Sequence, residues 1–444
     1  MDRSQNIVAA VVLAAGLGKR MRSQKPKVLH EVAGRTMLAS VIAQLRAAQV
    51  ERIILVLGPE FPAAALPPEV ETVVQTERLG TGDALRRACP LLKGHEGPVL
   101  VLAGDVPLIR PTTLTALAER LSLEGLGITV AGFSTATPFG YGRLLLAPEG
   151  QLERIIEEKD ATDEQRAITL CNGGAYGFAG RYLDSWLGRL QPNNAQGEYY
   201  LTDCIGLARQ DGASVRVVEC AEAEMLGVNN RLDLARVEAL AQQSLREAAM
   251  LAGASLRQPE TVTLAFDTHL AEDVVVEPFV VFGKGVKVGP GATIRSFSHL
   301  EGAVVEEQAV IGPYARLRPG TVVRVGAHVG NFVELKNSEL GAGAKVNHLA
   351  YIGDATVGDA ANIGAGTITC NYDGFGKYRT EIGAGAFIGS NSSLVAPVTI
   401  GAGATVGAGS VITAEVPADA LAVTRAPLTV RPNWAARKRR LGAA

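Results

Sequence analysis

The chain has 444 residues, a length that suggests two or three domains. It is 47% apolar and 20% charged with a formal net charge of −2, which is a globular composition with no global pull toward nucleic acid or an acidic substrate. Its one basic cluster, Arg437-Lys438-Arg439-Arg440, reads as a solvated tail. Cys89, Cys171, Cys204, Cys220 and Cys370 are dispersed and form no C-x-x-C pair. That usage suggests reduced thiols in a cytoplasmic protein rather than a disulfide framework. Residues 7–18, with Arg3 before them, have the outline of a weak signal peptide. The run is too short to span a bilayer, and a strand leading into a phosphate loop explains it better, so no membrane insertion is expected.

Residues 6–14 form a continuous Val-rich run, the pattern of a buried parallel strand. A Gly-rich loop follows, then a helix over 37–50. Strands are expected at 52–58 and 70–76, and a helix at 82–92. A strand over 98–104 ends on Asp105. A helix over 110–124 has Pro111 in its first turn. This alternation predicts a mostly parallel sheet with helices on both faces. Such sheets bind ligands at the carboxyl ends of their strands, where the Gly-rich loop and Asp105 would lie. Residues 229–252 lack Gly and Pro, and Leu232, Ala235, Val237, Leu240 and Leu245 recur near helical spacing, so one long linking helix is expected.

From about Ser255 the pattern changes. A branched or aromatic apolar residue recurs every six positions: Val276, Phe282, Val288, Ile294 and Leu300. After a five-residue step the column continues through Val305, Ile311, Leu317, Val323, Val329 and Leu335. Shorter steps lead to Leu340, Val346, Ile352, Val357 and Ile363. The count breaks at 369–381 and resumes at Ile382, Ile388, Leu394, Ile400, Val406 and Ile412. A period of six fits neither a helix nor a two-sided strand. It predicts a parallel β-helix in which each hexad is one short strand and a turn, with three hexads per coil. The expected organisation is therefore 1–228, an α/β nucleotide-binding domain; 229–253, a linker helix; 254–426, the β-helix; and 427–444, a C-terminal tail.

The loop after the first strand reads Leu13-Ala14-Ala15-Gly16-Leu17-Gly18-Lys19-Arg20-Met21, then Pro26-Lys27-Val28-Leu29. Glycines let backbone N–H groups approach an anion, and Lys19, Arg20 and Lys27 supply charge. The spacing is not that of a Walker A loop, and Met21 occupies the third glycine of the dinucleotide-binding fingerprint. Gly16-x-Gly18 alone is equally compatible with a tight strand–helix turn.

The longer string, L-A-A-G-x-G-x-R-M followed by P-K, resembles the signature of sugar-nucleotide pyrophosphorylases. The resemblance continues through Gln75-Thr76-Glu77-Arg78-Leu79-Gly80-Thr81-Gly82, Gly104-Asp105-Val106-Pro107-Leu108, Gly140-Tyr141-Gly142-Arg143, Glu157-Glu158-Lys159-Asp160-Ala161, Asn172-Gly173-Gly174, Asn194-Ala195-Gln196-Gly197-Glu198-Tyr199-Tyr200 and Gly227-Val228-Asn229-Asn230-Arg231. With the hexapeptide half, nearly the whole chain resembles the bacterial bifunctional family that joins N-acetylglucosamine-1-phosphate uridylyltransferase to glucosamine-1-phosphate N-acetyltransferase. That resemblance implies a Rossmann-like nucleotidyltransferase domain followed by a left-handed parallel β-helix. Periodicity does not fix the hand, and a left-handed coil departs from the usual right-handed crossover.

The resemblance also implies roles. Leu13, Ala14, Ala15 and Gly16 would hold the uracil and ribose, with Ala103 and Gly104 beside them. Arg20 and Lys27 would neutralise the triphosphate. Gln75, Gly80 and Thr81 would read the base, and Gly142, Glu157 and Asn172 would bind the amino sugar. Asp105 and Asn229 would hold Mg²⁺. Ala103 departs from the family's pattern, standing where members often carry Tyr.

In the second half, Arg316-Leu317-Arg318-Pro319-Gly320, Gly330-Asn331-Phe332-Val333-Glu334-Leu335-Lys336, Val346-Asn347-His348-Leu349-Ala350-Tyr351-Ile352-Gly353-Asp354 and the stretch 364–374 carry the resemblance. It implies His348 as general base, Arg318 and Lys336 on the sugar phosphate, and Tyr351 and Asn362 orienting the sugar. Ala365, Asn371, Tyr372, Ser390, Ala408 and Arg425 would line the acetyl-CoA site. A Glu334–Lys336 ion pair is the structural alternative for Lys336. His30, His95, His269, His299 and His328 read as surface or packing residues.

The resemblance further implies a cytoplasmic homotrimer that uses UTP and acetyl-CoA and serves peptidoglycan and cell-wall synthesis. Two other readings fit the same layout. One is a single-activity sugar-1-phosphate nucleotidyltransferase whose β-helix only oligomerises or regulates; intact His348, Lys336 and Asn371-Tyr372 speak against it. The other is a non-catalytic assembly subunit, against which stand Arg20, Lys27, Asp105 and Asn229.

Overall fold

The computed structural model describes residues 8–148 and 150–442. Arg3, Asn6 and Ile7 of the N-terminal run and the last two residues of the tail lie outside them. The chain divides into two compact units, Met1–Gln242 and Gln243–Ala444.

The first unit is built on a sheet whose main path runs Val215–Glu219, Ile128–Ser134, Leu170–Ala179, Pro98–Ala103, Ala9–Ala14, Arg52–Leu57 and Glu71–Val74. Ala9–Ala14 pairs in parallel with Arg52–Leu57 on one side and Pro98–Ala103 on the other. The long strand Leu170–Ala179 is antiparallel to both of its neighbours, which makes the sheet mixed. Side chains alternate across a strand, and both faces are covered here. Ala9 and Val11 pack into a core with helices Thr81–Ala88 and Gly180–Arg189. Ala10, Val12 and Ala14 pack into the opposite core with helices Met37–Ala47 and Pro111–Leu123. A strand buried on both faces reads as an unbroken apolar run, which is why residues 9–14 show no alternation. Helix ends fall short of their periodic patterns: the expected 37–50 helix stops at Ala47, and 82–92 resolves into an α-helix followed by a 3₁₀ turn, Cys89–Leu92.

Helix Arg231–Leu251 takes the chain onward. The second unit begins its ladder at Ser255–Leu256 and is a parallel β-helix of three sheets with ten, eight and eight strands. Successive coils stack in register, as in Val276 on Ile294 and Leu300 on Leu317. The hexad column forms its core, and none of its residues from Val276 to Ile412 is more than 4% exposed. The sequence break is narrower than the count implied. Residues 368–370 and 380–382 are already strands, and the loop between them is 371–379. Five free cysteines are present, and no helix of the described residues is long and apolar enough to cross a membrane.

Candidate active sites

In the first unit the loop 15–30 leaves the carboxyl end of the central strand. Gly18 adopts φ +59°, and a Cβ there would meet the Lys27 Cβ at 2.6 Å. A glycine at this point thus brings Lys27 against the loop. The neighbouring strand ends at Ala103, and Gly104 N–H donates to the Leu13 carbonyl at 2.9 Å, so Asp105 emerges beside the loop. Lys27 Nζ is ion-paired with Asp105 Oδ2, and both side chains are largely buried. Asn229 joins them: its Oδ1 lies 2.9 Å from an Arg20 nitrogen and 3.5 Å from Lys27 Nζ. Val228 N–H donates to the Asp105 carbonyl at 3.0 Å, and the Asn229 N–H to Asp233 at 3.0 Å, which anchors this remote segment. Four expected residues separated by up to 209 positions are therefore in one cluster.

The adjoining cavity of about 420 Å³ is lined by Leu13, Ala14, Ala15, Gly16, Lys27, Gln75, Gly80, Thr81, Ala103, Asp105, Glu157 and Asn172. Gly104 and Gly142 are not among the lining residues but abut them, a Cβ on Gly104 coming 3.4 Å from Ala14 and one on Gly142 3.5 Å from Asn172. Gly142 accepts a bond from Asn172 N–H at 2.8 Å, and a Cβ on it would come 3.1 Å from Ile155. Asn172 is itself held, donating to the Tyr176 hydroxyl at 2.7 Å and accepting from Gly174 N–H. Burial pushes the Glu157 carboxyl above its ordinary range, against the opposing hydrogen bond from Thr202. Arg78, Tyr176, Glu198 and Thr202 also line the cavity, and motif reading gave them no role. Arg78 donates to the Ala15 carbonyl at 2.6 Å. It lies within the Gln75–Gly82 string, whereas Tyr176 and Thr202 are brought in only by the tertiary fold.

In the second unit, His348 ends the strand Lys345–His348, stacked on His328–Asn331 of the previous coil. Its Nδ1 lies 2.9 Å from Asn331 Oδ1, and the side chain is exposed, so Nε2 is the ring nitrogen left for a substrate. Lys336 and Gly353 occupy equivalent places on successive coils, as do Glu334 and Tyr351. Arg318 N–H donates to the Leu335 carbonyl, which places it one coil before Lys336.

The Glu334–Lys336 pair considered from sequence is not the one formed. Glu334 takes Arg318 at 2.9 Å and Lys336 faces Asp354 at 3.9 Å. Neighbouring coils lie ~4.8 Å apart, closer than the ~6.6 Å between residues two apart along a strand. Burial opposes ionisation of Asp354, but hydrogen bonds from Asn337 and Asn371 and the charge of Lys336 outweigh it and hold the carboxyl below its ordinary range. Asn371, at the start of the loop, thus reaches back to the coil that carries Tyr351. Asn362 sits one coil beyond Lys345.

Ala365 accepts from Asn391 N–H at 2.7 Å and Ser390 from Gly409 N–H at 2.8 Å, on successive coils. Arg425 Nε donates to the Ala408 carbonyl at 3.0 Å. Tyr372 is exposed on the loop, its hydroxyl bonded to the Gly374 carbonyl. Asn331 and Asp354 lie within the motif strings, which imply no role for them. The interval of 17 residues between Asn331 and His348, one coil, is the signal that could have identified the first.

Residues 10–169 match the family model for the MobA-like NTP transferase domain, and residues 379–414 that for the bacterial transferase hexapeptide (six repeats). The first unit is accordingly a Rossmann-like nucleotidyltransferase fold and the second a left-handed parallel β-helix. The chain is 53% identical over 438 residues to the bifunctional protein GlmU of Azorhizobium caulinodans, covering 98% of this chain and 97% of that protein. It is 57% identical over 434 residues to the bifunctional protein GlmU of Rhodospirillum rubrum, covering 97% of each. Similarity of this depth along the full length, with an NTP transferase half and a hexapeptide half in the same order, means that the chain belongs to the bifunctional GlmU family of joined uridylyltransferases and acetyltransferases.

Proposed function

We propose that this chain makes UDP-N-acetylglucosamine in two steps, each unit performing one. Residues 254–426 transfer acetyl from acetyl-CoA to glucosamine 1-phosphate. Residues 1–228 then transfer uridylyl from UTP to N-acetylglucosamine 1-phosphate and release pyrophosphate. Residues 229–253 link the two, and 427–444 form a tail. The observation that carries this reading is that one chain holds both a cation cluster beside a nucleotide-sized cavity and an exposed, oriented imidazole on a hexapeptide coil.

In the uridylyl step the sugar-phosphate oxygen attacks the α-phosphorus in line, the bond to the β,γ-pyrophosphate breaks, and no side-chain nucleophile is required. Arg20 and Lys27 stabilise the charge that develops on the departing pyrophosphate. Leu13, Ala14, Ala15, Gly16, Ala103 and Gly104 present backbone to the nucleotide, Gln75, Gly80 and Thr81 read the base, and Gly142, Glu157 and Asn172 take the sugar. Asp105 and Asn229 offer one carboxylate and one amide oxygen. That small donor set suits Mg²⁺, which keeps most of its coordination for phosphates and water. When bound, the ion would supply further neutralisation of the phosphates.

In the acetyl step the glucosamine amine attacks the thioester carbonyl, His348 Nε2 takes the amine proton, and the coenzyme A thiolate leaves. Arg318 and Lys336 hold the sugar phosphate, and Tyr351 and Asn362 orient the ring. Ala365, Asn371, Tyr372, Ser390, Ala408 and Arg425 receive acetyl-CoA. The family's homotrimeric, cytoplasmic state and its service to cell-wall synthesis are part of the same proposal. The loop 371–379, largely exposed beyond Asn371 and carrying the solvent-facing Phe375, supports a neighbouring subunit reaching this site.

Two assays on one purified sample test the reading. One follows coenzyme A release with glucosamine 1-phosphate, and the other follows pyrophosphate release from UTP with N-acetylglucosamine 1-phosphate. Both activities are expected. Pyrophosphate release without coenzyme A release would reduce the β-helix to a scaffold.

A further inference from the structure

Gln75 lines the first unit's cavity and is only 3% exposed. Its Nε2 makes two bonds, to the Gly80 carbonyl at 3.1 Å and to Asp83 Oδ2 at 2.8 Å. At neutral pH a backbone carbonyl and an aspartate carboxylate can only accept, so both amide hydrogens are used and the orientation of the amide is set by chemistry. Turning the group around would place Oε1 against two acceptors. Gln75 Oε1 therefore remains the free end, with no protein donor among the described residues and no burial that would orphan it.

Asp83 is 4% exposed in the first turn of helix Thr81–Ala88, and its other oxygen lies 3.4 Å from an Arg87 nitrogen. Gly80 is fixed as well. It has φ +108°, and a Cβ there would lie 2.6 Å from the Tyr199 carbonyl. Both acceptors are thus rigidly placed behind the glutamine.

We propose that Asp83 is a positioning residue that fixes the hydrogen-bond polarity of Gln75, so that the cavity presents an acceptor to the base and selects a pyrimidine carrying N3–H. Uracil has that hydrogen. Cytosine has a lone pair at the same ring position and meets Oε1 as acceptor against acceptor. This rests on the reading of the cavity as the UTP site.

The test measures kcat/KM with UTP, CTP and 5-methyluridine triphosphate for the native protein and for Asp83→Ala, Asp83→Leu, Asp83→Asn and Gln75→Ala. Asp83→Ala and Asp83→Leu remove one of the two acceptors and leave only the Gly80 carbonyl to oppose rotation of the amide, so the UTP-to-CTP preference is expected to fall by up to roughly tenfold. Asp83→Leu keeps the branched shape at Cγ and leaves no cavity, so an acceptor-free variant remains if Asp83→Ala does not fold. Asp83→Asn keeps the volume, but Arg87 draws its oxygen and turns its NH2 toward Gln75, so the preference is expected to fall here too. The ratio of UTP to its 5-methyl analogue stays unchanged throughout, because both bases carry N3–H. A lower overall rate in Asp83→Ala and Asp83→Leu with an unchanged UTP-to-CTP ratio overturns the proposal. If Gln75→Ala also leaves that ratio unchanged, base reading by this cavity fails; if Gln75→Ala alone lowers it, only the role of Asp83 fails.

Discussion

His348 and Asn331 face each other on adjacent coils of the β-helix, with imidazole Nδ1 2.9 Å from the amide oxygen Oδ1. An amide oxygen accepts, so Nδ1 carries the hydrogen and Nε2 is left as the basic nitrogen. Asn331 thereby holds the ring in the tautomer that the proposed proton removal from the attacking amine requires. His348→Ala is expected to lower acetyl transfer by ~10²–10⁴-fold, the usual worth of a positioned acid–base group. Asn331→Ala keeps the imidazole but loses its orientation, and a fall of roughly 10–100-fold in kcat is expected. Both leave pyrophosphate release intact. Equal loss of both activities in a folded variant would refute the separation of the two sites.

Lys27, Asp105, Asn229 and Arg20 form a single polar cluster beside the cavity proposed to take UTP. Asp105→Ala removes a proposed metal ligand and leaves Lys27 without its carboxylate. Uridylyl transfer is expected to drop ~10²–10³-fold, in the range of losing one preorganised electrostatic group, while coenzyme A release stays at the native rate. A metal chelator added to native protein should act the same way, abolishing pyrophosphate release and sparing acetyl transfer. Sensitivity of acetyl transfer to the chelator would contradict the placement of the metal.

Much of this was legible in the chain because burial imposes a period. The column from Val276 to Ile412 is the apolar stack of the coils, and the unbroken run at 9–14 reflects a strand covered on both faces. Motif strings likewise located Lys27, Asp105 and Asn229. The choice of polar partners left no such mark. Asp83 bonds Gln75 from inside a helix, Glu334 pairs across coils with Arg318, and Tyr176 reaches the cavity from the antiparallel strand Leu170–Ala179, far along the chain from the Gly-rich loop. These contacts depend on where turns place side chains in space, and no periodicity encodes that. The end of helix Met37–Ala47 was overrun for a similar reason, since the apolar pattern continues to Val50 after the helical hydrogen bonds have closed on Ala48.

Glu157 is desolvated, and its carboxyl titrates above the ordinary range. In the folded protein it therefore takes up a proton at a higher pH than it would in the unfolded chain. As pH falls through the folded value, the fold gains stability from this group, because the buried charge is neutralised. The same protonation removes an acceptor from the part of the cavity proposed to take the sugar. Uridylyl transfer is expected to lose N-acetylglucosamine 1-phosphate affinity on the acid side, above the usual carboxylate range, without a parallel loss of thermal stability from this residue. Glu157→Gln should abolish that limb of the pH profile and show a raised KM at all pH values. Persistence of the acid limb in Glu157→Gln would assign it to another group.

The coils of the β-helix keep Arg318, Lys336 and Tyr351 in fixed relation, so their activity depends on the stack beneath them. Leu317 is fully buried and precedes Arg318, and Ile352 is 1% exposed next to Tyr351. Leu317→Ala and Ile352→Ala each leave a cavity in a close-packed column and should cost ~2–5 kcal/mol. The exposed ladder at one corner of the coils behaves differently. Phe297 stacks between Phe279 at 5.2 Å and Tyr314 at 4.8 Å, and is 48% exposed. Phe297→Ala removes aromatic stacking but no enclosed core, and a cost of only ~0.5–1.5 kcal/mol is expected. Thermal unfolding followed together with coenzyme A release would separate the two. The core variants should lose acetyl transfer on heating well before the native protein, with pyrophosphate release outlasting it, and the ladder variant should track the native curve closely. Equal destabilisation by Phe297→Ala and Leu317→Ala would mean that the corner ladder, as much as the buried column, holds the coils in register.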